Sequence, residues 1–263
     1  MQLVINTYGA YLRKKDNCFL IKTEDVQQEI SVKKVSSILI STAVLISSDA
    51  LKMALENNID VVFVDEYGDP FGRMWHSKLG STTLIRRKQL EASCCEDGFE
   101  MVKNWTDVKI SNQVDFLKKL KEKRPENEVL TQSIAKIEEL REKIRSIKGT
   151  TEELRGTLMG YEGNASKAYF DALSSVMPQK YRFNGRSRNP AQDEFNAMLN
   201  YGYGVLYSKV EKACLIAGLD PYLGFLHADN YNKKSLVFDL VEMYRDLPDR
   251  TVTYLFTGKQ VRD

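Results

Sequence analysis

Near residue 80 the apolar residues change from short runs to helical spacing, and one structural layer cannot accommodate both patterns. Before that point, "LVINTYGAYLRK", "CFLIK", "SSILIS" and "IDVVFVDE" are rich in β-branched and aromatic residues and read as strands. The turn signal "KKDN" between the first two predicts a hairpin. In "SSDALKMALENN", Ser48 or Asp49 can cap a short helix. The turn "YGDP" ends the last of these strands, and "FGRMWH" reads as one more. His76 has no acidic or histidine neighbour at ligand spacing and is expected to be structural. Beyond "GSTTLIRRKQL", two long helical segments flank Pro125 and predict an antiparallel pair. The fold class expected is therefore α+β: a small β-rich N-terminal domain, residues 1–79, followed by a larger all-α domain, residues 80–263.

Charge excludes little. Thirty-eight Lys and Arg face thirty-six Asp and Glu, so any nucleic-acid-binding surface must be local. Cys18, Cys94, Cys95 and Cys214 form no C-x-x-C pair and read as free thiols of a reducing cytoplasm. The N-terminus lacks the layout of a signal peptide, no apolar run is long enough to span a bilayer, and the sequon at Asn104 then carries no meaning.

Several polar residues interrupt apolar patterns. In the helix expected over 150–176, Thr150 and Glu153 form a capping box, and Leu158, Ala165, Ala168, Ala172 and Leu173 mark the apolar face. Glu162 lies beside that face, at the rim of a packed core or in a site. Gly156, Gly160 and Gly163 line a neighbouring strip and predict the close approach of another backbone or a ligand. In the helix expected over 236–246, Asp239, Glu242 and Asp246 share one narrow strip. That strip is either a solvated face or a cation site. The second reading gains from the like-charge repulsion, with no lysine or arginine on the strip to relieve it. His227 could fold back over the strip, giving a donor set suited to Mn²⁺ or Mg²⁺. Lys180, Arg182, Arg186 and Arg188, interleaved with Tyr181 and Phe183, suit a phosphate backbone with exposed bases, or any acidic partner. Asn189 and Pro190 are expected to open the next helix, on which Asn196 and Asn200 call for specific partners.

These pieces, in this order, resemble one family. "DVVFVDEYGDPFG", "YEGNASKAYF", the loop "FNGRSRNP" leading into "NAMLNYGY", then "GFLH" and "SLVFDLVEMYR" are similar to the CRISPR-associated integrases of spacer acquisition. The likeness covers nearly the whole chain. It implies that Glu162, His227 and Glu242 ligate Mg²⁺ or Mn²⁺ and that Asp239 is an assisting catalytic acid. It implies DNA contacts from Lys180, Arg182, Arg186, Arg188 and Asn200, and dimerisation through the β-rich domain. It further implies a homodimer, bridged to a second one by a small CRISPR-associated ferredoxin-like partner that holds double-stranded DNA. The implied reaction is attack of a DNA 3′-hydroxyl on a phosphodiester of the CRISPR repeat. Relatives usually continue for some tens of residues beyond the "MYR" helix. Two rivals share the fold: a non-catalytic nucleic-acid-binding scaffold and a general DNA repair nuclease.

Overall fold

In the computed structural model, residues 1–65, 70–74, 82–227, 233–258 and 260–261 are described. His76, most of the turn at 67–70, the expected boundary near 77–82 and most of the segment after His227 lie outside them. The chain divides into two compact units, Met1–Gly80 and Ser81–Asp263.

Among the described residues, the first unit holds two four-stranded sheets. In one, β1 (Gln2–Ile5), β5 (Ser37–Ile40) and β7 (Asp60–Val64) run parallel, and β8 (Pro70–Met74) pairs antiparallel with β7. In the other, β4 (Gln27–Ser31), β3 (Cys18–Lys22), β2 (Tyr11–Lys15) and the short β6 (Leu45–Ile46) lie in that order. The predicted hairpin is β2–β3, with Lys15 opposite Cys18 and Asp16 in the left-handed region at φ 51°. The run "LVINTYGAYLRK" is not one strand. It breaks at Asn6–Ala10, where Gly9 takes φ 73°, and its halves join different sheets. β4 escapes the sequence pattern because "QQEIS" is mostly exposed and polar, as an edge strand tolerates. Helix α1 (Ser48–Glu56) starts one residue earlier than a Ser48 cap would allow, with Ser47 at the cap. Leu12, Phe19, Ile38, Met53, Ala54 and Val61 lie at the centre of this unit's core.

The second unit is helical: α2 (Thr82–Ser93), α3 (Glu96–Glu122), α4 (Glu128–Ser146), α5 (Thr151–Val176), α6 (Glu194–Ile216), α7 (Ser235–Val241) and α8 (Asp246–Thr257). α3, α4 and α5 pack on one another around Ile110, Leu117, Leu130, Ile137, Leu158 and Leu173, each fully buried. Burial of such a side chain is worth about 1.5–3 kcal/mol. Among the described residues, no helix is long and apolar enough to cross a membrane. The α5 capping box is present, with the Thr150 N–H donating to Glu153 Oε2 at 3.3 Å.

Two helix boundaries differ from expectation, and both shape the site. α6 starts at Glu194, not after Asn189, because the Asp193 carboxylate accepts from the Asn196 N–H at 2.8 Å and supplies the cap. The segment expected as one helix over 236–246 leaves α geometry at Val241 and tightens into a 3₁₀ turn, Glu242–Tyr244. In 3₁₀ geometry residues three apart eclipse, which lays Arg245 over Glu242.

Glycines divide sharply. A Cβ on Gly156, Gly160 or Gly163 would meet nothing within 4 Å, so among the described residues no other backbone approaches that strip. A Cβ on Gly98, at the start of α3, would sit 2.0 Å from the Ala92 carbonyl oxygen of α2. Gly98→Ala is therefore expected to cost about 1–3 kcal/mol. Gly156→Ala, exposed in mid-helix, is expected to stabilise by up to about 1 kcal/mol. Urea unfolding of both variants checks this contrast; equal midpoints would contradict the packing of the α2–α3 corner.

Candidate active site

The site begins with a seam on α3. Val102, Thr106, Lys109, Gln113, Phe116 and Leu120 fall at the three-and-four spacing of a buried stripe, and all six are buried. Three of them are polar. Lys109, 5% exposed, projects between α5 and the 3₁₀ turn. Its Nζ donates to Glu162 Oε1 and lies 2.5 Å from Glu242 Oε2. Ser166, one turn along α5, donates to the same Glu162 oxygen at 2.8 Å. Arg245 Nη2 reaches Glu242 Oε1 at 2.7 Å, the consequence of the eclipsed turn. Asn112 Nδ2 donates to the Met243 carbonyl at 3.1 Å and ties that turn to α3.

Electrostatics follow from this geometry. Burial alone would raise the Glu162 pKa, but the Lys109 charge and the hydrogen bonds from Lys109 and Ser166 hold it down at about 2. Burial alone would lower the Lys109 pKa, yet Glu242 and Glu162 outweigh it and raise the pKa. Arg245 is raised in the same way, with Glu242 overcoming burial.

Asp239 does something different from Glu242. It is 3% exposed, and the strip that carries it is not solvated. Its Oδ2 accepts the N–H groups of Phe225 and Leu226, at 2.7 and 3.1 Å. Its Oδ1 accepts the His227 N–H at 3.1 Å and lies 2.6 Å from His227 Nδ1. A carboxylate engaged as an acceptor four times over sets Nδ1 as the donor and leaves Nε2 as the acceptor. The expected relief of repulsion also has a protein source: Arg245 and Lys109 supply the cations that the sequence strip lacked.

The loop carrying His227 is fixed at its other end by Gln89 of α2. Gln89 Nε2 donates to the Asp220 and Leu223 carbonyls, both at 2.9 Å, and its Oε1 accepts from the Asp220 N–H at 2.8 Å. A Cβ on Gly224 would sit 2.5 Å from Ser235 Cβ, so the turn requires glycine.

Glu162, His227 and Glu242 line one cleft of about 780 Å³, together with Arg186 and Arg188; Asp239 does not line it. Arg186 donates to Asn196 Oδ1 at 2.7 Å, to Asn200 Oδ1 at 2.5 Å and to the Ser187 carbonyl. Asn196 also donates to the Gly185 carbonyl and to Asp193, and Asn200 donates to the Arg188 carbonyl at 2.6 Å. The two amides therefore brace the basic loop from behind. Burial, with Arg188 and Arg245 nearby, lowers the Arg186 pKa. Lys180 and Arg182 are exposed on the approach to the loop and do not line the cleft.

Sequence reasoning missed Lys109, Arg245 and Gln89. Lys109 had a legible signal, since Thr106, Lys109 and Gln113 occupy consecutive positions of an otherwise apolar stripe. Gln89 had none.

Among the described residues, no three His, Cys, Asp or Glu side chains converge closely enough to enclose a metal ion. The donor chemistry nevertheless fits one. Glu162 and Glu242 both contact a single cationic atom, Lys109 Nζ, so one cation can bridge them, and His227 lines the same cleft. Carboxylate oxygens with one imidazole suit Mn²⁺ or Mg²⁺.

Behind the cleft, the Tyr203 hydroxyl donates to Asp249 Oδ1 at 2.6 Å. Burial raises the Asp249 pKa from 3.8 to about 6, against the opposing pull of Tyr203 and Arg245. A carboxyl with a raised folded pKa stabilises fully at low pH, and that contribution fades as pH rises from about 4 to about 6, by on the order of 3 kcal/mol. Glu162 acts oppositely and at lower pH, losing its contribution as pH falls from 4.5 towards about 2. Asp249→Asn is expected to flatten the decline between about pH 4.5 and 6. Denaturant melts across that range check it; an unchanged slope would remove Asp249 as its source.

The profile of the family described as "CRISPR associated protein Cas1" matches residues 3–263. The "CRISPR-associated endonuclease Cas1 1" of Archaeoglobus fulgidus is 37% identical over 100% of this chain and 80% of its own length. Among solved structures, a casposase bound to its integration product aligns with a TM-score of 0.75 at 24% identity, over 100% of this chain and 74% of that one. A chain of a Cas6-RT-Cas1–Cas2 complex aligns with a TM-score of 0.75 at 24% identity, over 100% of this chain and 28% of that one. The solved structures share the fold; the match along almost every residue, with the full-length identity to a curated relative, means that this chain belongs to the Cas1 family.

Proposed function

We propose that this chain is a metal-dependent DNA endonuclease and integrase that inserts spacers into a CRISPR array. The observation that carries the proposal is the meeting of Glu162 and Glu242 on one cation in a cleft that also presents His227, Arg186 and Arg188. Glu162, Glu242 and His227, through Nε2, would hold Mg²⁺ or Mn²⁺. When bound, such an ion polarises a phosphate and lowers the pKa of an attacking hydroxyl.

The remaining work belongs to the chain's own groups. Asp239 holds the proton on His227 Nδ1 and fixes the ring through three backbone N–H bonds. Among the described residues, Arg186 has only uncharged hydrogen-bond partners, the Ser187 carbonyl and two amides, so its charge is available to a phosphate. In integration, the DNA 3′-hydroxyl forms one P–O bond as the repeat phosphodiester loses another, so the number of phosphodiesters is conserved. Water in place of the hydroxyl gives cleavage. A homodimer formed through the N-terminal unit and a small ferredoxin-like partner belong to the same proposal. The Cas6-RT-Cas1–Cas2 complex, which pairs Cas1 with Cas2, supports a CRISPR-associated partner protein.

Two experiments test it. Glu242→Gln is expected to abolish both cleavage and integration and to weaken Mn²⁺ binding. Asp239→Asn is expected to retain measurable Mn²⁺ binding, with faster amide exchange at Phe225–His227. Calorimetry and hydrogen exchange separate the two roles; equal loss of metal binding would make the acids one ligand pair. Replacing Arg186 and Arg188 by alanine is expected to weaken binding to unrelated duplexes about equally and to lower the salt slope by up to about 2. An unchanged slope would take the loop off the DNA path.

A further inference from the structure

Lys109 occupies the place between Glu162 and Glu242 that a bridging cation would take, and three observations describe how it holds that place. First, the cluster is already neutral: two carboxylates face two cations, Lys109 and Arg245. A divalent ion added to it would leave an excess of two positive charges in a partly buried site, which is costly unless an anion follows or a cation leaves. Second, Glu242 Oε2 is buried and touches Lys109 at 2.5 Å, yet accepts no aligned hydrogen bond. The contact is an ion pair rather than an aligned hydrogen bond. Third, Gln113 lies one turn further along α3, lines the same cleft and is 3% exposed. Its Oε1 is buried without a hydrogen-bond partner among the described residues. Buried acceptors of that kind are uncommon and call for an occupant. Residues four apart on a helix are neighbours, so the Lys109 ammonium can reach this oxygen by turning its flexible stem.

We infer that Lys109 is a tethered counter-cation that competes with the divalent ion for Glu162 and Glu242 and withdraws towards Gln113 when the ion binds. This rests on the metal-site reading above. Its consequence is a coupling between metal and DNA. Without DNA, the ion must displace a cation already in place, and the excess charge opposes it. A phosphodiester in the cleft offsets that charge, so each ligand strengthens the other by the same factor. Lys109 is thus a positioning residue that keeps the carboxylates together before substrate arrives and makes metal loading depend on DNA.

The test is calorimetric titration of Mn²⁺ into the full chain, with and without a short DNA duplex. Lys109→Met is expected to bind Mn²⁺ about tenfold more tightly than the wild type without DNA, and to lose most of the gain that DNA confers. Gln113→Met is expected to weaken Mn²⁺ binding in the wild-type background and to have no effect beside Lys109→Met. Folded Lys109→Met with unchanged or weaker affinity would overturn the inference. Should Lys109→Met fail to fold, an unchanged affinity in Gln113→Met overturns it equally. The metal-site reading fails separately, if wild type and Glu242→Gln bind Mn²⁺ alike.

Discussion

Glu162 from α5 and Glu242 from the 3₁₀ turn meet the ammonium of Lys109 from α3, and the burial of that ammonium governs its surroundings. A buried charge is tolerated only when paired, and removal of one partner leaves the others uncompensated. The three elements therefore meet at one charged point as well as along their apolar faces. Ser166, Asn112 and Arg245 each add a polar tie to one corner of that triangle. The cleft is consequently walled by helices that place its two carboxylates in advance, the arrangement that electrostatic catalysis requires.

A second centre, Asp239, organises backbone where Lys109 organises side chains. The chain from Phe225 to His227 has no regular partner for its N–H groups, and one carboxylate satisfies all three. The same oxygen set fixes the histidine ring. Loop geometry and imidazole tautomer thus have one cause, so neither can change without the other.

The division of the chain into strand-rich and helical parts was legible because hydrophobic periodicity changes so plainly. Hairpin β2–β3, the α5 cap and the α3–α4 pair followed from local chemistry. The break at Val241 was not legible, since "DLVEMYR" is compatible with a continuous helix and only the Arg245–Glu242 pair and the tie to Asn112 favour the tighter turn. Asp239 was placed on the right helix and read as one of a solvated or metal-bound strip, because angular position cannot tell which carboxylate faces a neighbouring loop. The glycine strip of α5 was read as the close approach of a backbone or a ligand, and among the described residues no other backbone lies opposite it. Lys109 could have been noticed in its apolar stripe, but which carboxylates it would join depended on elements more than fifty residues away.

The ring of Tyr203 meets two guanidinium groups, its centroid 5.2 Å from that of Arg186 and 4.9 Å from that of Arg245. One of these belongs to the basic loop and the other grips Glu242, so the two halves of the cleft share a single wall. Each arginine is drawn to the same electron-rich face system, and the buried Asp249 at the hydroxyl end adds negative charge behind it. The basic loop and the carboxylate wall are therefore joined through one aromatic side chain.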